Sequence, residues 1–158
     1  MVSLPEPILR HSVGVAEFMA NYAKKHPELH ADPYEYYIVG LLHDIGKLYP
    51  GDPDTNGKNQ YKNHAAKGGA LLEKMGFCYA EAVKHHGHPE DWHRSDTWYI
   101  LNLADLSVNS KGEAVDIRSR VKNIGERYGK NSKEFHNAKT LLELLRKEGY
   151  VKDTLDNF

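Results

Sequence analysis

Ten histidines in a chain of 158 residues are the first feature of this sequence that could do chemistry. Several histidines and one aspartate lie three or four residues from apolar side chains, on faces that a packed helix turns inward. His11 falls on the stripe of Ile8 and Val15, and Asp105 shares a face with Trp98 and Leu101. The same spacing turns inward His43, which Asp44 follows directly, and also His64 and His86. The pattern predicts that imidazoles and carboxylates from five segments meet in the interior.

Each inward histidine taken singly is more often a hydrogen-bonded core residue than a ligand. The carboxylates change this balance, because an unpaired carboxylate in an apolar setting costs several kcal/mol unless it is neutralised or finds a cation. The nearest basic residues in sequence, Arg94 and Lys111, lie off the helical face of Asp105. Histidines that converge on two aspartates therefore predict a metal centre.

The ligand types narrow the choice of metal. Imidazole and carboxylate without thiolate favour Fe, Mn, Co, Ni or Zn, whereas Mg is less expected. One ion would take His11, His43, Asp44 and Asp105, and a second would take His64 and His86 and share Asp44. Two ions about 3.5 to 4 Å apart are used to activate water and clamp the oxygens of a phosphoester. The set therefore predicts one or two divalent ions and hydrolytic chemistry.

Two basic residues are candidates for contact with a substrate phosphate. Lys47 follows the His43-Asp44 pair by one turn and could pair with phosphate as a compact point charge. It could equally be a solvated lysine that the helix dipole favours. Arg118 and Arg120 could reach phosphate from a later helix, although a solvated helix face explains them as well. We expect Asp44 and Lys47 to act directly in catalysis, and Arg118 to contact phosphate.

Helices must position these residues, because no run of β-branched residues alternates with polar ones. Asp32-Pro33 is a helix start with a capping aspartate and a proline at the first helical position. Leu48 to Lys62 is rich in Pro, Gly, Asn and Asp and is predicted to be a loop. Helices are predicted at 6–25, 33–46, 64–75, 79–86, 96–110, 113–128 and 134–148. The sequence predicts one all-α domain, a bundle of about seven helices over residues 1–158.

Composition excludes several function classes. With 21 basic and 22 acidic residues the net charge is −1, which disfavours an electrostatic nucleic-acid binder. The longest apolar stretch, Tyr36 to Leu42, is far shorter than a membrane span, so we expect no membrane association. The single cysteine excludes an internal disulfide and a thiolate-rich metal site. A cytoplasmic location is the simplest expectation.

The motifs resemble those of the HD-domain metal-dependent phosphohydrolases, which carry the HDIG signature. Here the signature reads His43-Asp44-Ile45-Gly46-Lys47, with His11 before it and Asp105 in Leu103-Ala104-Asp105 after it. The resemblance implies an α-helical fold, metal ligation by His11, His43, Asp44 and Asp105, and hydrolysis of phosphoesters, commonly those of nucleotides. The middle histidines correspond to His64 and His86. His85 is a possible additional ligand, because either member of that pair could face inward.

Two subfamilies are most similar: small bacterial hydrolases of dinucleoside polyphosphates, and the HD domain of ribonuclease Y. Both differ from this chain at Val108 to Val115, where they carry a segment containing Pro and Arg. The resemblance implies a small nucleotide or another phosphorylated molecule as substrate, whereas RNA is less expected at this net charge. The alternative is a non-catalytic regulatory module that senses a nucleotide or metal, but such modules often lose ligands that are all retained here. The sequence does not predict the oligomeric state.

Overall fold

Helices make up the regular secondary structure of the residues that the structure describes. The computed structural model describes residues 4–48, 61, 63–91 and 94–152. The α-helices in these ranges are α1 (Glu6–Lys25), α2 (Pro33–Leu42), α3 (His64–Lys74), α4 (Ala80–Lys84), α5 (Asp96–Asp105), α6 (Ile117–Tyr128) and α7 (Lys133–Lys147). Two short 3-10 helices, Pro27–Leu29 and Ile45–Leu48, flank α2. The all-α prediction is confirmed.

Side-chain caps fix where most of the later helices begin. The Asp32 carboxylate accepts a hydrogen bond from the amide of Tyr34, and Ser95 caps α5 in the same way. Asp116 accepts from the amide of Ser119, so α6 starts at Ile117 and not at the predicted Glu113. Ser132 caps α7 through the amide of Phe135. Local side-chain chemistry therefore sets the boundaries more closely than apolar periodicity does.

Two helices end well before their predicted ends, and both of these ends carry candidate ligands. The second helix stops at Leu42 and the chain continues into the 3-10 helix Ile45–Leu48, which leaves His43 and Asp44 in the intervening turn. The fifth helix stops at Asp105 and not at Ser110. At each of these helix ends the chain changes direction. The ligand side chains there therefore point away from their own helix and toward the neighbouring helices.

The fifth helix is the central element of the fold. Trp98, Ile100, Leu101 and Ala104 on α5 have no solvent exposure. One face of α5 packs with α1, α2 and α4 around Val15 and Val39, and the other packs with α6 and α7 around Leu142. The first two helices lie close enough that a Cβ on Gly40 would come 2.5 Å from the Cα of Ala16. This packing holds the end of α5 at the centre of the molecule.

The described chain has no helix with the length and apolarity needed to cross a membrane. The loop predicted over Leu48 to Lys62 lies almost entirely outside the described residues. The assignment of the whole chain to one domain stays a prediction.

Candidate metal centre

Four histidines surround two carboxylates between the helices. His11 Nε2 lies 2.7 Å from Asp105 Oδ1, and His43 Nε2 lies 3.5 Å from the same oxygen. Asp44 presents one carboxylate oxygen, Oδ2, to His43 Nε2 at 3.2 Å. Its other oxygen, Oδ1, lies 3.3 Å from His64 Nε2 and 3.4 Å from His86 Nε2. The structure therefore brings together all six principal ligand candidates of the sequence.

Each of the four rings is turned so that the same nitrogen faces the centre. The Nδ1 atoms of His43 and His86 lie 2.6 Å from the carbonyl oxygens of Gly40 and Val83. The Nδ1 atoms of His11 and His64 lie 3.1 Å from the carbonyl oxygens of Asn109 and Tyr61. A carbonyl oxygen only accepts, so Nδ1 carries the proton and donates. The lone pair of each Nε2 is left for a cation, and this backbone anchoring is typical of metal-binding histidines.

Elements distant in sequence supply these side chains. The first helix contributes His11 from its middle, and the turn after α2 contributes His43 and Asp44. The third helix begins at His64, where a Cβ on Gly46 would overlap the His64 carbonyl oxygen and come within 2.8 Å of the Gly68 amide nitrogen. Only glycine at position 46 allows this approach. The glycine of the His43–Lys47 motif thus seats α3 so that His64 meets Asp44.

The turn that carries His86 is held from behind by α5. The indole Nε1 of Trp98 donates to the His85 carbonyl oxygen at 2.8 Å. The amide of Gly87 donates to Asn102 Oδ1 at 2.8 Å, and Asn102 Nδ2 donates to the Trp98 carbonyl oxygen at 2.9 Å. Both anchoring side chains are buried. The two residues on either side of His86 are therefore tied to the helix that ends in Asp105.

The segment after α5 positions His11. Here Val108 and Ala114 form an isolated antiparallel bridge, and Asn109 Oδ1 accepts from the amides of Lys111 and Glu113. The turn closed in this way presents the Asn109 carbonyl oxygen to His11 Nδ1. This segment therefore serves the site structurally.

The electrostatics of the centre, taken without metal, favour a proton between two carboxylates. Burial alone would lower the pKa of His43, but Asp44 and, after it, Asp105 outweigh burial and raise that pKa to about 10. Burial would raise the pKa values of Asp44 and Asp105, yet the adjacent histidines hold both well below the usual range. For His86 burial prevails and lowers the pKa despite the nearby Asp44. The centre thus combines two ionised carboxylates with one protonated and at least one neutral imidazole.

The donor set fits divalent cations. Ligands bound about 2.1 Å from one ion lie roughly 3 to 3.5 Å apart. The Nε2–carboxylate distances of the centre run from 2.7 to 3.5 Å, and all but the shortest, between His11 and Asp105, fall in that range. Ligand atoms lie within 4.8 Å of one another in two groups, one of His11, His43 and Asp105 and one of His43, Asp44 and His86. Within the described ranges, the buried Nε2 atoms of His43 and His86 lie 3.2 to 3.5 Å from carboxylate oxygens but without the geometry of a hydrogen bond. Such unsatisfied buried nitrogens are what a metal would occupy.

His43 belongs to both groups but can bind only one ion through Nε2, because an imidazole nitrogen has a single lone pair. Asp44 faces His43 with one oxygen and His64 and His86 with the other. A second ion would therefore use His64 and His86, with Asp44 bridging. His85 does not contribute, since its Nδ1 lies 2.6 Å from Asp91 and its Nε2 lies 3.2 Å from Glu81.

A cavity of about 910 Å³ opens directly onto the centre. Lys47 lines it, and its Nζ lies 3.2 Å from Asp44 Oδ2. Of the three arginines on α6, Arg120 and Arg127 line the cavity and Arg118 does not. Arg118 and Arg120 are two positions apart, which turns an α-helix by about 200°, so their side chains leave opposite sides of α6. Arg120 therefore lies on the cavity wall, whereas Arg118, predicted from the sequence to contact phosphate, lies outside its lining.

The geometry agrees with the comparison against known protein families. Residues 8–129 match the family of the HD domain, and the match spans every histidine and aspartate of the centre. The chain belongs to the HD-domain family. Neither the comparison with curated proteins nor the comparison with solved structures gives a match.

Proposed function

We propose that this chain is a metal-dependent phosphohydrolase that cleaves phosphomonoester, phosphodiester or phosphoanhydride bonds of nucleotide-like molecules with an activated water. One observation carries the proposal. Four imidazoles present Nε2 to the carboxylates of Asp44 and Asp105, at the wall of a cavity that Lys47 also lines. A structural metal site is usually closed by four ligands, whereas this set holds six candidates beside open space.

The centre suits Fe, Mn, Co, Ni or Zn better than Mg, because imidazole prefers borderline transition metals. Such ions polarise phosphoryl oxygens and lower the pKa of a bound water toward neutrality. His11, His43, Asp44 and Asp105 would hold one ion, and His64, His86 and Asp44 would hold a second. Water attack at such a centre requires no serine or cysteine nucleophile.

The residues of the chain itself have two further tasks. Lys47 supplies a positive charge next to Asp44, where it can neutralise and orient a phosphate that approaches from the cavity. The second task is to fix the donors, which the hydrogen bonds from Nδ1 to backbone carbonyls accomplish. Preorganised donors need no rearrangement during the reaction.

A small acyclic nucleotide or polyphosphate is the substrate class we favour. The resemblance to hydrolases of dinucleoside polyphosphates supports it, and the net charge of −1 makes RNA the weaker choice. The volume of the cavity, about 910 Å³, falls within the range for small-molecule sites.

The test is hydrolysis of a substrate panel by chain loaded with Mn²⁺ or Fe²⁺. The panel contains p-nitrophenyl phosphate, bis-p-nitrophenyl phosphate, nucleotides and a dinucleoside polyphosphate. The isosteric change Asp44→Asn should abolish turnover, whereas Glu143→Gln, on the exposed face of α7, should leave it unchanged. Equal turnover by Asp44→Asn, or none by the metal-loaded wild type, would reject the proposal. Tight nucleotide binding without turnover would favour the sensing module.

A further inference from the structure

The cavity extends well beyond the metal centre. Its lining begins at the centre with His11, Asp44 and Asp105 and continues to side chains of α6 and α7. A volume of about 910 Å³ is near the upper end of the range for drug-sized ligands, which far exceed one phosphate group. A ligand whose reacting group lies at the centre therefore has a remainder that contacts α6 and α7.

Arg120 is the notable residue of that distant wall. Its side chain is mostly buried and lines the cavity. Its Nε is closed to solvent and has no hydrogen-bond partner in the described part of the chain. Within the described ranges the guanidinium forms no ion pair, although Glu126 and Glu134 line the same cavity. Arg120 therefore brings an unpaired positive charge to the cavity wall, where an anionic group of a ligand would pair with it.

The other residues of α6 and α7 that line the cavity indicate the chemical class of the ligand. The charged residues of this wall nearly balance, with Arg120, Arg127 and Lys133 against Glu126 and Glu134. A long polyanion requires a continuous basic surface, so this wall does not suit a nucleic acid. The planar fork of an arginine matches a phosphate group. The Asn137 amide and the Leu141 side chain, which line the same cavity, offer polar and apolar contacts to a nucleoside.

Building on the proposed function, we propose that Arg120 binds a phosphate group other than the one hydrolysed. Arg120 is thus a specificity-determining residue, and it selects substrates that carry a chain of two or more phosphates. A substrate with one phosphate reaches the centre without using Arg120. Removal of this side chain should therefore weaken binding of a polyphosphate and spare binding of a single phosphate.

Calorimetric titration of Mn²⁺-loaded protein tests this directly. The probes are β,γ-methylene-ATP, whose terminal bridge resists hydrolysis, and inorganic phosphate. Arg120→Gln should weaken binding of the ATP analogue about tenfold or more and change phosphate affinity less than twofold. Arg120→Lys should recover part of the loss, because it restores charge without the fork. Lys122→Gln, an exposed position of α6 outside the cavity lining, should match wild type with both probes.

The proposal is overturned if Arg120→Gln binds the analogue as tightly as wild type, if it loses both probes equally, or if wild type prefers phosphate. Hydrolysis of the whole substrate panel given above, measured with the same preparations, separates this result from the proposed function. Loss of analogue binding in Arg120→Gln together with no turnover by wild type rejects the hydrolase and keeps the phosphate site. Turnover by wild type together with unchanged analogue binding in Arg120→Gln rejects the phosphate site and keeps the hydrolase.

Discussion

Replacement of Asn102 by leucine tests whether α5 positions the His86 turn. The side chain is 1% exposed, its Oδ1 accepts from the Gly87 amide at 2.8 Å, and its Nδ2 donates to the Trp98 carbonyl oxygen at 2.9 Å. Leucine has a similar volume and removes both bonds without leaving a large cavity. The main loss is then the Gly87 N–H, which is left without an acceptor.

The expected cost follows from that orphaned donor. An unsatisfied buried donor costs about 1–3 kcal/mol. Because Gly87 is only partly buried, we expect the lower end, a fall of about 1 kcal/mol in the free energy of unfolding. In a domain of this size that lowers the melting temperature by roughly 2–4 °C. Loss of a group that orients a metal ligand typically weakens metal binding about 10- to 100-fold. Since Asn102 acts on His86 through its neighbour, we expect the lower end, about tenfold.

The assay pairs urea unfolding of metal-free protein with Mn²⁺ titration of the folded protein. The control is Thr97→Val, a buried position on the same helix that loses a 2.8 Å hydrogen bond to the Tyr36 hydroxyl. Thr97 precedes Asp105 by about 12 Å of helix, so this change should lower stability while metal affinity stays at the wild-type value. Equal loss of metal affinity in both variants, or unchanged affinity in Asn102→Leu, would refute the positioning role.

Two other predictions concern the proton and the backbone of the centre. At pH 8 an ordinary histidine is neutral, but His43, with its pKa raised to about 10, is protonated, so metal binding at pH 8 should release about one proton. Titration in two buffers with different ionisation enthalpies measures this number, and a value near zero would contradict the charge assignment. Gly46→Ala should cost about 3 kcal/mol or more, because its Cβ would overlap the His64 carbonyl oxygen. Gly76→Ala, at φ +73 with open space around it, should cost only roughly 1–2 kcal/mol; similar unfolding free energies for the two variants would contradict the close approach.

Helical periodicity was sufficient to predict the ligand-bearing faces wherever a helix is long and its neighbours are apolar. His11 lies in the middle of α1, with Val15 one turn later, so the 3.6-residue repeat alone turns it inward. The α1 helix runs over the range predicted for it. Periodicity alone was not sufficient to place Asp105. The α5 helix is apolar on nearly all sides, and its end at Asp105 depends on the turn that follows.

Where helical periodicity does not show which residue faces the site, contacts between distant segments determine it. His85 and His86 are adjacent at the end of a five-residue helix, so no repeat distinguishes them. The choice is made by Trp98 and Asn102, which hold the turn, and by Asp91, which binds the His85 ring. The same holds for Arg120, because a helix whose exposed side is polar gives no pattern to show that a cavity lies beside one of its arginines.

The metal content of the protein, measured by elemental analysis after purification without chelator, tests the centre most directly. We expect about two divalent ions per chain, falling toward one in His64→Ala and unchanged in His136→Ala, an exposed position on α7. A wild-type protein that retains no transition metal even after incubation with Mn²⁺, Fe²⁺ or Zn²⁺ would contradict the assignment of these imidazoles and carboxylates as ligands. So would a metal content that stays the same when Asp44 is replaced by asparagine.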